Sequence, residues 1–297
     1  MRLLSFGHGY SAKTLAKELQ PAGWKIRATT RTQKKYNQIE DLGTKVRLWP
    51  DKKLLDDIAW ATHILVSIPP NKYGDPVLLE FQEKIIEKCK ELSWVGYLST
   101  TGVYGDHNGN WVDEETPPMP TTIRGKNRVE AENQWMTLFK ENCLPVHIFR
   151  LAGIYGPGRG PFAKVKSGVV RRIVKKNQVF SRIHVDDISQ VLVGSMTAPN
   201  PGVIYNVCDD DPAPPQDVIS YAAGLLGLPE PQEVCFEDAE LTAMARSFYA
   251  ESKRVKNNRI KEELRISLKY PNYKKGLISL LENESRLNNS VISSLRE

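Results

Sequence analysis

Near its N-terminus the chain carries a glycine-rich turn between a strand-like and a helix-like segment. The apolar run RLLSF (2–6) leads into Gly7-His8-Gly9-Tyr10-Ser11-Ala12, and an amphipathic stretch follows as far as Pro21. In the pattern G-x-G-x-x-G/A, the first glycine permits a tight turn, the second lets a pyrophosphate approach the backbone, and the last small residue packs helix against strand. Such spacing alone occurs in many turns, and the strand–helix context therefore carries the interpretation. We predict that Gly7, Gly9, Tyr10, Ser11 and Ala12 bind a dinucleotide.

Strand-like and helix-like segments alternate through the first half of the chain. The strand-like segments are mostly continuous apolar runs, which is typical of a parallel sheet covered on both faces. The pattern predicts strands at 2–6, 24–30, 45–49, 63–69, 94–100 and 145–151, with helices near 10–20, 32–41, 76–92 and 123–142. The fold class predicted is α/β, with a Rossmann-type doubly wound sheet.

The order loosens beyond about residue 156, where glycine and proline turns precede a helix after HVDD, a strand at 203–208 and further helices. We therefore predict a nucleotide-binding core over 1–155. The predicted C-terminal part, 156–297, completes the sheet and adds a small substrate-binding lobe.

Cysteine usage and hydropathy bear on where the protein works. No apolar run approaches the roughly 20 residues needed to span a bilayer, and the N-terminus lacks the features of a signal peptide. Four scattered cysteines, without metal-binding spacing, suit a reducing compartment. The sequence predicts a soluble cytoplasmic protein with no metal site and no membrane partner.

Positive charge is concentrated in one segment. The chain has 41 Lys and Arg against 35 Asp and Glu, yet residues 159–182 contain eight cations and no acid. Such a block is usually a solvated face, and the sharper alternative is a loop that meets an anionic ligand. The small overall excess argues against nucleic acid as a partner.

The residues after the second predicted strand indicate which dinucleotide is bound. An NAD-binding chain places Asp or Glu about 20 residues beyond the glycine turn, to bind the ribose 2′-hydroxyl. Here Thr29, Thr30 and Arg31 occupy that place, and no carboxylate lies between Thr29 and Glu40. This favours NADP over NAD, with Thr30 and Arg31 binding the 2′-phosphate. A surface arginine at a strand end is the alternative.

The long helix predicted over 123–142 begins with an unusual set of charges. Arg124, Lys126 and Arg128 stand in its first turns, where the helix dipole favours carboxylates. Arg124 and Arg128 are four residues apart and share a face. This face either meets an anion or is a solvated stripe.

Several further motifs resemble the short-chain dehydrogenase/reductase superfamily, in its extended and atypical, epimerase/dehydratase-like branch. They are the glycine turn, STTGVYGD (99–106), FRLAGIYGPGR (149–159), SRIHVDDI (181–188) and YNVCDD (205–210). The resemblance covers most of the chain. It implies a Rossmann core with a C-terminal substrate lobe, and related proteins often dimerise through the helices that correspond to 76–92 and 123–142.

The resemblance also implies site residues. In the family a Ser/Thr orients the substrate, and a Tyr-x-x-x-Lys pair supplies the acid/base and holds the nicotinamide ribose. Thr100 matches the Ser/Thr, whereas Arg124 and Arg128 stand at the Tyr and Lys positions. Ser67, Ile68 and Pro69, which end the fourth predicted strand, join the predicted cofactor-binding set.

This departure leaves the acid/base position open. A guanidinium only donates hydrogen bonds and stays charged near neutral pH. Arg124 therefore cannot replace the tyrosine, although Arg128 can still hold a ribose hydroxyl. The candidates for proton transfer are Tyr104, Tyr155, His107 and His184; the last is more typical of a residue that orders a loop, with an Asp capping the next helix. We include Tyr104 with Thr100, Arg124 and Arg128 in the catalytic set.

Two functions follow from these motifs. The first is an NADP-dependent oxidoreductase or epimerase-like enzyme that acts on an anionic small molecule. The second is a non-catalytic NADP-binding sensor or scaffold.

Overall fold

A computed structural model describes residues 1–294 of the protein; the last three residues of the predicted C-terminal part lie outside this range. Its strands, in chain order, are β1 (Arg2–Phe6), β2 (Lys25–Thr30), β3 (Lys45–Leu48), β4 (His63–Val66), β5 (Trp94–Thr100), β6 (Trp111–Val112), β7 (Val146–Leu151), β8 (Gly153–Tyr155), β9 (Arg172–Val174), β10 (Arg182–His184), β11 (Ile204–Val207), β12 (Glu233–Cys235) and β13 (Arg254–Val255).

Seven of these strands form one parallel sheet in the order β11-β7-β5-β4-β1-β2-β3. The chain builds outward from β1 to β3, then returns to place β4 on the other side of β1. This reversal creates a crevice at the carboxyl ends of β1 and β4, the usual ligand position in an open α/β sheet. The predicted α/β fold with a doubly wound parallel sheet is confirmed.

Helices cover both faces of this sheet. They are α1 (Tyr10–Leu19), α2 (Gln33–Glu40), α3 (Leu54–Trp60), α4 (Pro76–Glu87), α5 (Ile123–Asn142), α6 (Phe162–Lys166), α7 (Val185–Thr197), α8 (Pro215–Leu225), α9 (Ala243–Tyr249), α10 (Asn258–Glu262) and α11 (Tyr273–Ser294). Leu3 of β1 joins a buried cluster with α1 and α7, whereas Leu4 joins another with α3, α4 and α5. Successive side chains of a strand point to opposite faces, and burial of both explains why the strands read as continuous apolar runs.

Two elements differ from the sequence-based expectation. The helix predicted over 76–92 ends at Glu87 and is followed by a 3₁₀ turn, Cys89–Glu91. The sequence pattern did not predict α3, a seven-residue helix in a charged stretch. Its Asp57 is fully buried and forms ion pairs with Arg27 and Arg47, which belong to neighbouring strands. Tertiary pairing therefore holds this short helix, which periodicity alone does not reveal.

The C-terminal part contributes one strand to the main sheet and contains a further apolar cluster. Its β11 pairs with β7 at the edge of the main sheet. Short parallel pairs join β8 to β10, β9 to β12 and β6 to β13. A separate apolar cluster, which includes Phe162, Ala222 and Leu277, lies among α6, α8 and α11. Over residues 1–294, no helix has the length and apolar character needed to cross a membrane.

Candidate functional site

The glycine turn lies at the crevice between β1 and β4. Gly7 adopts φ +81°, and a Cβ atom there would lie 2.8 Å from Cγ1 of Ile68. Its N–H donates to Oγ1 of Thr29 (2.8 Å), and its carbonyl accepts from the hydroxyl of Ser67. Both the backbone conformation and the contact with Ile68 require glycine at this position. Residues from β1, β2 and β4 thus fix the turn.

The first turn of α1 follows directly and presents unpaired backbone donors. Gly9 is the N-cap; no side chain caps the helix, and its first turn contains no acid. Ser11 and Ala12 are buried, and Ala12 packs in the core with an exposed fraction of 2%. A helix N-terminus that has no side-chain cap, and that is preceded by a glycine without a side chain, suits a phosphate group.

Residues 156–159, here called the strap, lie against this helix end. The hydroxyl of Tyr10 donates to the carbonyl of Pro157 (2.9 Å), and Cζ of Arg159 lies 5.7 Å from the centre of the Tyr10 ring. Burial raises the pKa of Tyr10 to about 12. The tyrosine therefore stays protonated near neutral pH and acts as a fixed hydrogen-bond donor to the strap.

Thr30 and Arg31, which were predicted to bind a 2′-phosphate, lie at the carboxyl end of β2. Thr30 is buried, whereas Arg31 is exposed and forms no ion pair within residues 1–294. Pro69, beyond β4, is exposed at the same edge of the sheet. The residues predicted to bind the cofactor from β1, β2 and β4 therefore lie along one edge.

Thr100 and the start of α5 are also adjacent. Oγ1 of Thr100 accepts from the N–H of Gly102 (3.2 Å) in a 3₁₀ turn. A Cβ atom at Gly125 would lie 3.0 Å from the Gly102 carbonyl, so α5 packs closely on this turn. Arg124, which precedes Gly125, is exposed and has no ion pair within the described range. Thr122 caps α5 by accepting from the Gly125 N–H.

Arg128, one turn further along α5, is bound to the sheet. Its Nη1 donates to the hydroxyl of Tyr97 (2.9 Å) and to the carbonyl of Leu98 (2.8 Å). Its Cζ lies 5.4 Å from the centre of the Tyr97 ring. These contacts account for one of the three cations that the helix dipole disfavours. Arg124 has no such contact among the described residues.

Tyr104 belongs to a buried polar network. Its hydroxyl donates to Oδ1 of Asn206 (2.7 Å) and accepts from Nη1 of Arg150 (3.0 Å). The side chain is fully buried, and burial raises the pKa of its hydroxyl to about 12. The structure therefore places the Tyr104 hydroxyl inside the core, away from the protein surface on which Arg124 is exposed.

The remaining acid/base candidates also have structural partners. Nε2 of His107 lies 3.1 Å from the Tyr104 carbonyl, and the Tyr155 hydroxyl lies 3.4 Å from the carbonyl of Asn272. The expectation that an Asp caps the helix after HVDD is wrong, because Nδ1 of His184 accepts from the Asp186 N–H and caps α7. Burial lowers the pKa of His184 to about 4, which keeps its ring neutral.

Much of the basic segment 159–182 is engaged within the protein. Arg172 pairs with Glu230 and Glu233, and Lys166 pairs with Glu284. Lys175 donates to the Tyr249 carbonyl, and Arg182 donates to two backbone carbonyls. Arg171 donates to the carbonyls of Gly168 and Val170. Among the described residues, the side chains of Arg159, Lys164 and Lys176 form neither an ion pair nor a hydrogen bond. Of these, Arg159 lies beside the glycine turn.

The arrangement of acidic residues, His and Cys bears on metal chemistry. Among residues 1–294, no group of three or more of these side chains is placed to hold a metal ion. The site is therefore built from backbone N–H groups, hydroxyls and guanidinium groups.

Comparison with known proteins supports the fold. No family model matches the chain. Protein YeeZ of Escherichia coli (strain K12) is 29% identical over 242 residues, covering 76% of this chain and 84% of YeeZ. A functionally unknown conserved protein from Silicibacter pomeroyi DSS is 56% identical, with a TM-score of 0.91 over 95% of this chain and 98% of that protein.

A more distant likeness involves a protein of known activity. UDP-glucuronic acid 4-epimerase from Bacillus cereus, in complex with UDP-glucuronic acid and NAD, has a TM-score of 0.75 at 16% identity, over 97% of this chain and all of the other. At this identity the likeness shows the fold alone. It confirms the resemblance of the chain to the epimerase/dehydratase-like branch at the level of fold.

Proposed function

The chain belongs to the family of the Silicibacter pomeroyi protein and has the fold of NAD-dependent epimerases, and from this premise we propose that it is an NAD(P)-binding oxidoreductase or epimerase-like enzyme. Its substrate is an anionic small molecule. A nicotinamide dinucleotide supplies the hydride-transfer chemistry when it is bound.

One observation carries the proposal: the uncapped N-terminus of α1 lies beyond a glycine turn at the crevice between β1 and β4. Gly7, held by Thr29 and Ser67, makes the tight turn, and Gly9, which has no side chain, lets a pyrophosphate approach the backbone. The uncapped backbone donors in the first turn of α1 then bind phosphate oxygens. Ile68 and Pro69, from the neighbouring strand end, flank the dinucleotide.

The 2′-phosphate of NADP is the best match for the end of β2. Arg31 is exposed and lacks an ion pair among the described residues. A guanidinium binds a phosphate through two parallel hydrogen bonds. NAD binding would need an acceptor for the ribose 2′-hydroxyl, and the segment from Thr29 to Ile39 contains no carboxylate.

The substrate lies between Thr100 and Arg124. The threonine hydroxyl and the free guanidinium are both hydrogen-bond donors, and they suit a carboxylate, a phosphate or an oxyanion. Arg128 uses Nη1 on the sheet, which leaves Nη2 and Nε for a ribose hydroxyl. In this proposal Arg124 binds the anion and Arg128 binds the cofactor, and neither transfers a proton.

The second candidate is a non-catalytic sensor or scaffold. The observation that favours it is that every alternative acid/base candidate already has a hydrogen-bond partner in the structure. Tyr104 is buried and doubly hydrogen-bonded, and His184 caps a helix with its ring kept neutral. A site that binds dinucleotide and anion without a proton donor would report cofactor levels instead of turning over substrate.

Calorimetric titration with NADPH and NADH tests the proposal, followed by turnover assays over a panel of anionic carbonyl compounds and UDP-sugars. NADPH binding with turnover of one panel member supports the enzyme. NADPH binding without any turnover favours the sensor or scaffold. Absence of binding to either dinucleotide would reject both.

A further inference from the structure

A cavity opens at the amino ends of β2 and β3, whereas the candidate site lies at the carboxyl ends of the strands. It has a volume of about 620 Å³, and its walls include Trp24, Lys25, Arg27, Lys45 and Trp60. A strand advances about 3.3 Å per residue, so the six residues of β2 separate this cavity from the Arg31 end by roughly 17 Å. The cavity is thus distinct from the proposed cofactor site.

The charged residues that line the cavity are all cations. Lys25 and Arg27 are two residues apart on β2 and point to the same face, and Arg27 lies opposite Lys45 in the strand register. Like charges directly opposite each other on neighbouring strands are destabilising. Asp57 offsets Arg27 through an ion pair of 2.6 Å, and it also pairs with Arg47.

The two lysines have no such counterion. Lys25 and Lys45 are exposed and form no ion pair within residues 1–294. No acidic residue is among those that line the cavity. The cavity therefore holds two uncompensated ammonium groups, and an anion is the ligand that they suit.

The aromatic walls add a second requirement. Trp24 and Trp60 are both half-buried, so part of each ring is packed against the protein and part is accessible to solvent. Trp24 packs edge-on against His63 with ring centres 4.7 Å apart, and Cζ of Arg27 lies 4.1 Å from the centre of the Trp60 ring. Indole rings and guanidinium planes are the surfaces on which nucleobases stack.

We propose that this cavity binds a nucleoside monophosphate, with the phosphate held by Lys25 and Lys45 and the base stacked against the tryptophan walls. The volume is within the range of small-molecule sites, about 300–1,000 Å³. The binding is independent of the dinucleotide proposed for the glycine turn.

The test is calorimetric titration of adenosine monophosphate into the full chain saturated with NADPH, which keeps the glycine turn occupied. We expect one binding event. The double substitution Lys25→Gln with Lys45→Gln should weaken it about tenfold or more, because each lysine contributes a charge-assisted hydrogen bond. Adenosine and inorganic phosphate, titrated separately, should each bind at least about tenfold more weakly than the nucleotide.

A matched variant controls for net charge. Lys90 and Lys140 are exposed and without an ion pair among the described residues, and Lys90→Gln with Lys140→Gln should leave adenosine monophosphate binding unchanged. No binding at millimolar nucleotide, or equal binding by the two double variants, overturns the proposal. If neither NADPH nor NADH binds, the function proposed above is wrong. The same titrations without NADPH then still decide this inference, because a nucleotide at the glycine turn would be insensitive to Lys25 and Lys45.

Discussion

Arg150 of β7 and Glu132 of α5 form a buried ion pair that ties the long helix to the centre of the sheet. Nη2 of Arg150 lies 2.7 Å from Oε2 of Glu132, and its Nε also donates to the carboxylate. Although burial opposes the charge, the hydrogen bonds to Glu132 raise the pKa of the Arg150 guanidinium. Arg128 and Arg124 precede Glu132 by one and two helical turns, so the pair sets the rotation with which α5 presents them.

We expect Arg150→Leu to destabilise the protein by about 3–5 kcal/mol, since it leaves the Glu132 carboxylate buried and without its countercharge. Urea unfolding followed by circular dichroism measures the change. Replacing both residues, as Glu132→Leu with Arg150→Leu, should cost less than the sum of the single changes. Additive losses would show that the two side chains act independently.

Arg31→Asp should remove the preference for NADPH. A charge-assisted hydrogen bond to phosphate contributes about 1.5–3 kcal/mol, and NADPH affinity should therefore fall about tenfold or more. The new carboxylate can accept from the ribose hydroxyl of NADH. Calorimetry with both dinucleotides gives the ratio, and Lys90→Asp serves as a control of equal charge change. Equal affinities of the wild type for NADPH and NADH would contradict the assignment.

His147 makes stability depend on pH. It is fully buried, its Nε2 accepts from the Asn200 N–H (3.0 Å), and burial lowers its pKa to about 4. The unfolded residue titrates near pH 6.5, so between about pH 6.5 and 4 the unfolded state binds the extra proton. This contribution to stability is present above that window and is lost as the pH falls through it.

His147→Gln keeps an acceptor for Asn200 and removes this titration. The free energy of unfolding of the wild type should fall relative to that of the variant by up to about 3 kcal/mol as the pH is lowered from 7 to 4. The comparison is needed because Asp187 and Asp209, whose pKa values burial raises to about 6 and 8, act in the opposite direction. A constant difference between variant and wild type across this range would contradict the prediction.

The sequence predicted the fold well because its signals were local. The glycine turn, the continuous apolar runs and the order of elements identify a parallel doubly wound sheet, and the strand boundaries agree within a few residues. The signals that failed depend on partners distant in sequence. The short helix α3 relies on Asp57 meeting Arg27 and Arg47, and nothing in its own seven residues indicates those ion pairs.

The candidate site was predictable in part for the same reason. Gly7, Thr30 and Arg31 lie at one edge of the sheet, as parallel strands that end together require. The residue type alone did not distinguish Arg128 from Arg124. Arg128 is bound to Tyr97 and Leu98, whereas Arg124 has no hydrogen bond or ion pair within the part of the chain that the structure describes. Likewise, the position of Tyr104 beside a sequence motif gave no indication that Arg150 and Asn206 enclose its hydroxyl.

The two arginines should therefore respond differently to truncation. Arg124→Ala should weaken binding of an anion such as UDP-glucuronic acid by about 1.5–3 kcal/mol and leave NADPH affinity unchanged. Arg128→Ala should weaken NADPH. It should also lower the free energy of unfolding by about 1–3 kcal/mol, because the Leu98 carbonyl and Tyr97 hydroxyl lose their donor. If Arg124→Ala changes neither anion binding nor turnover, the anion-binding role is wrong.

Restoring the pair that the superfamily uses, as Arg124→Tyr with Arg128→Lys, tests whether the rest of the site is built for hydride transfer. A tyrosine at 124 would supply the missing acid beside Thr100, and a lysine at 128 would stand over Leu98, where the guanidinium now donates. General acid catalysis contributes about 10²–10⁴-fold. NADPH-dependent reduction of simple carbonyl compounds should therefore rise by about 10²-fold over the wild type.

The control is Arg124→Phe with Arg128→Lys, which keeps the ring and removes the hydroxyl, and it should show no rise. A rise confined to the tyrosine variant would show that Arg124 displaced an acid from a working site. No rise, together with no turnover by the wild type across the anionic panel, would favour the sensor.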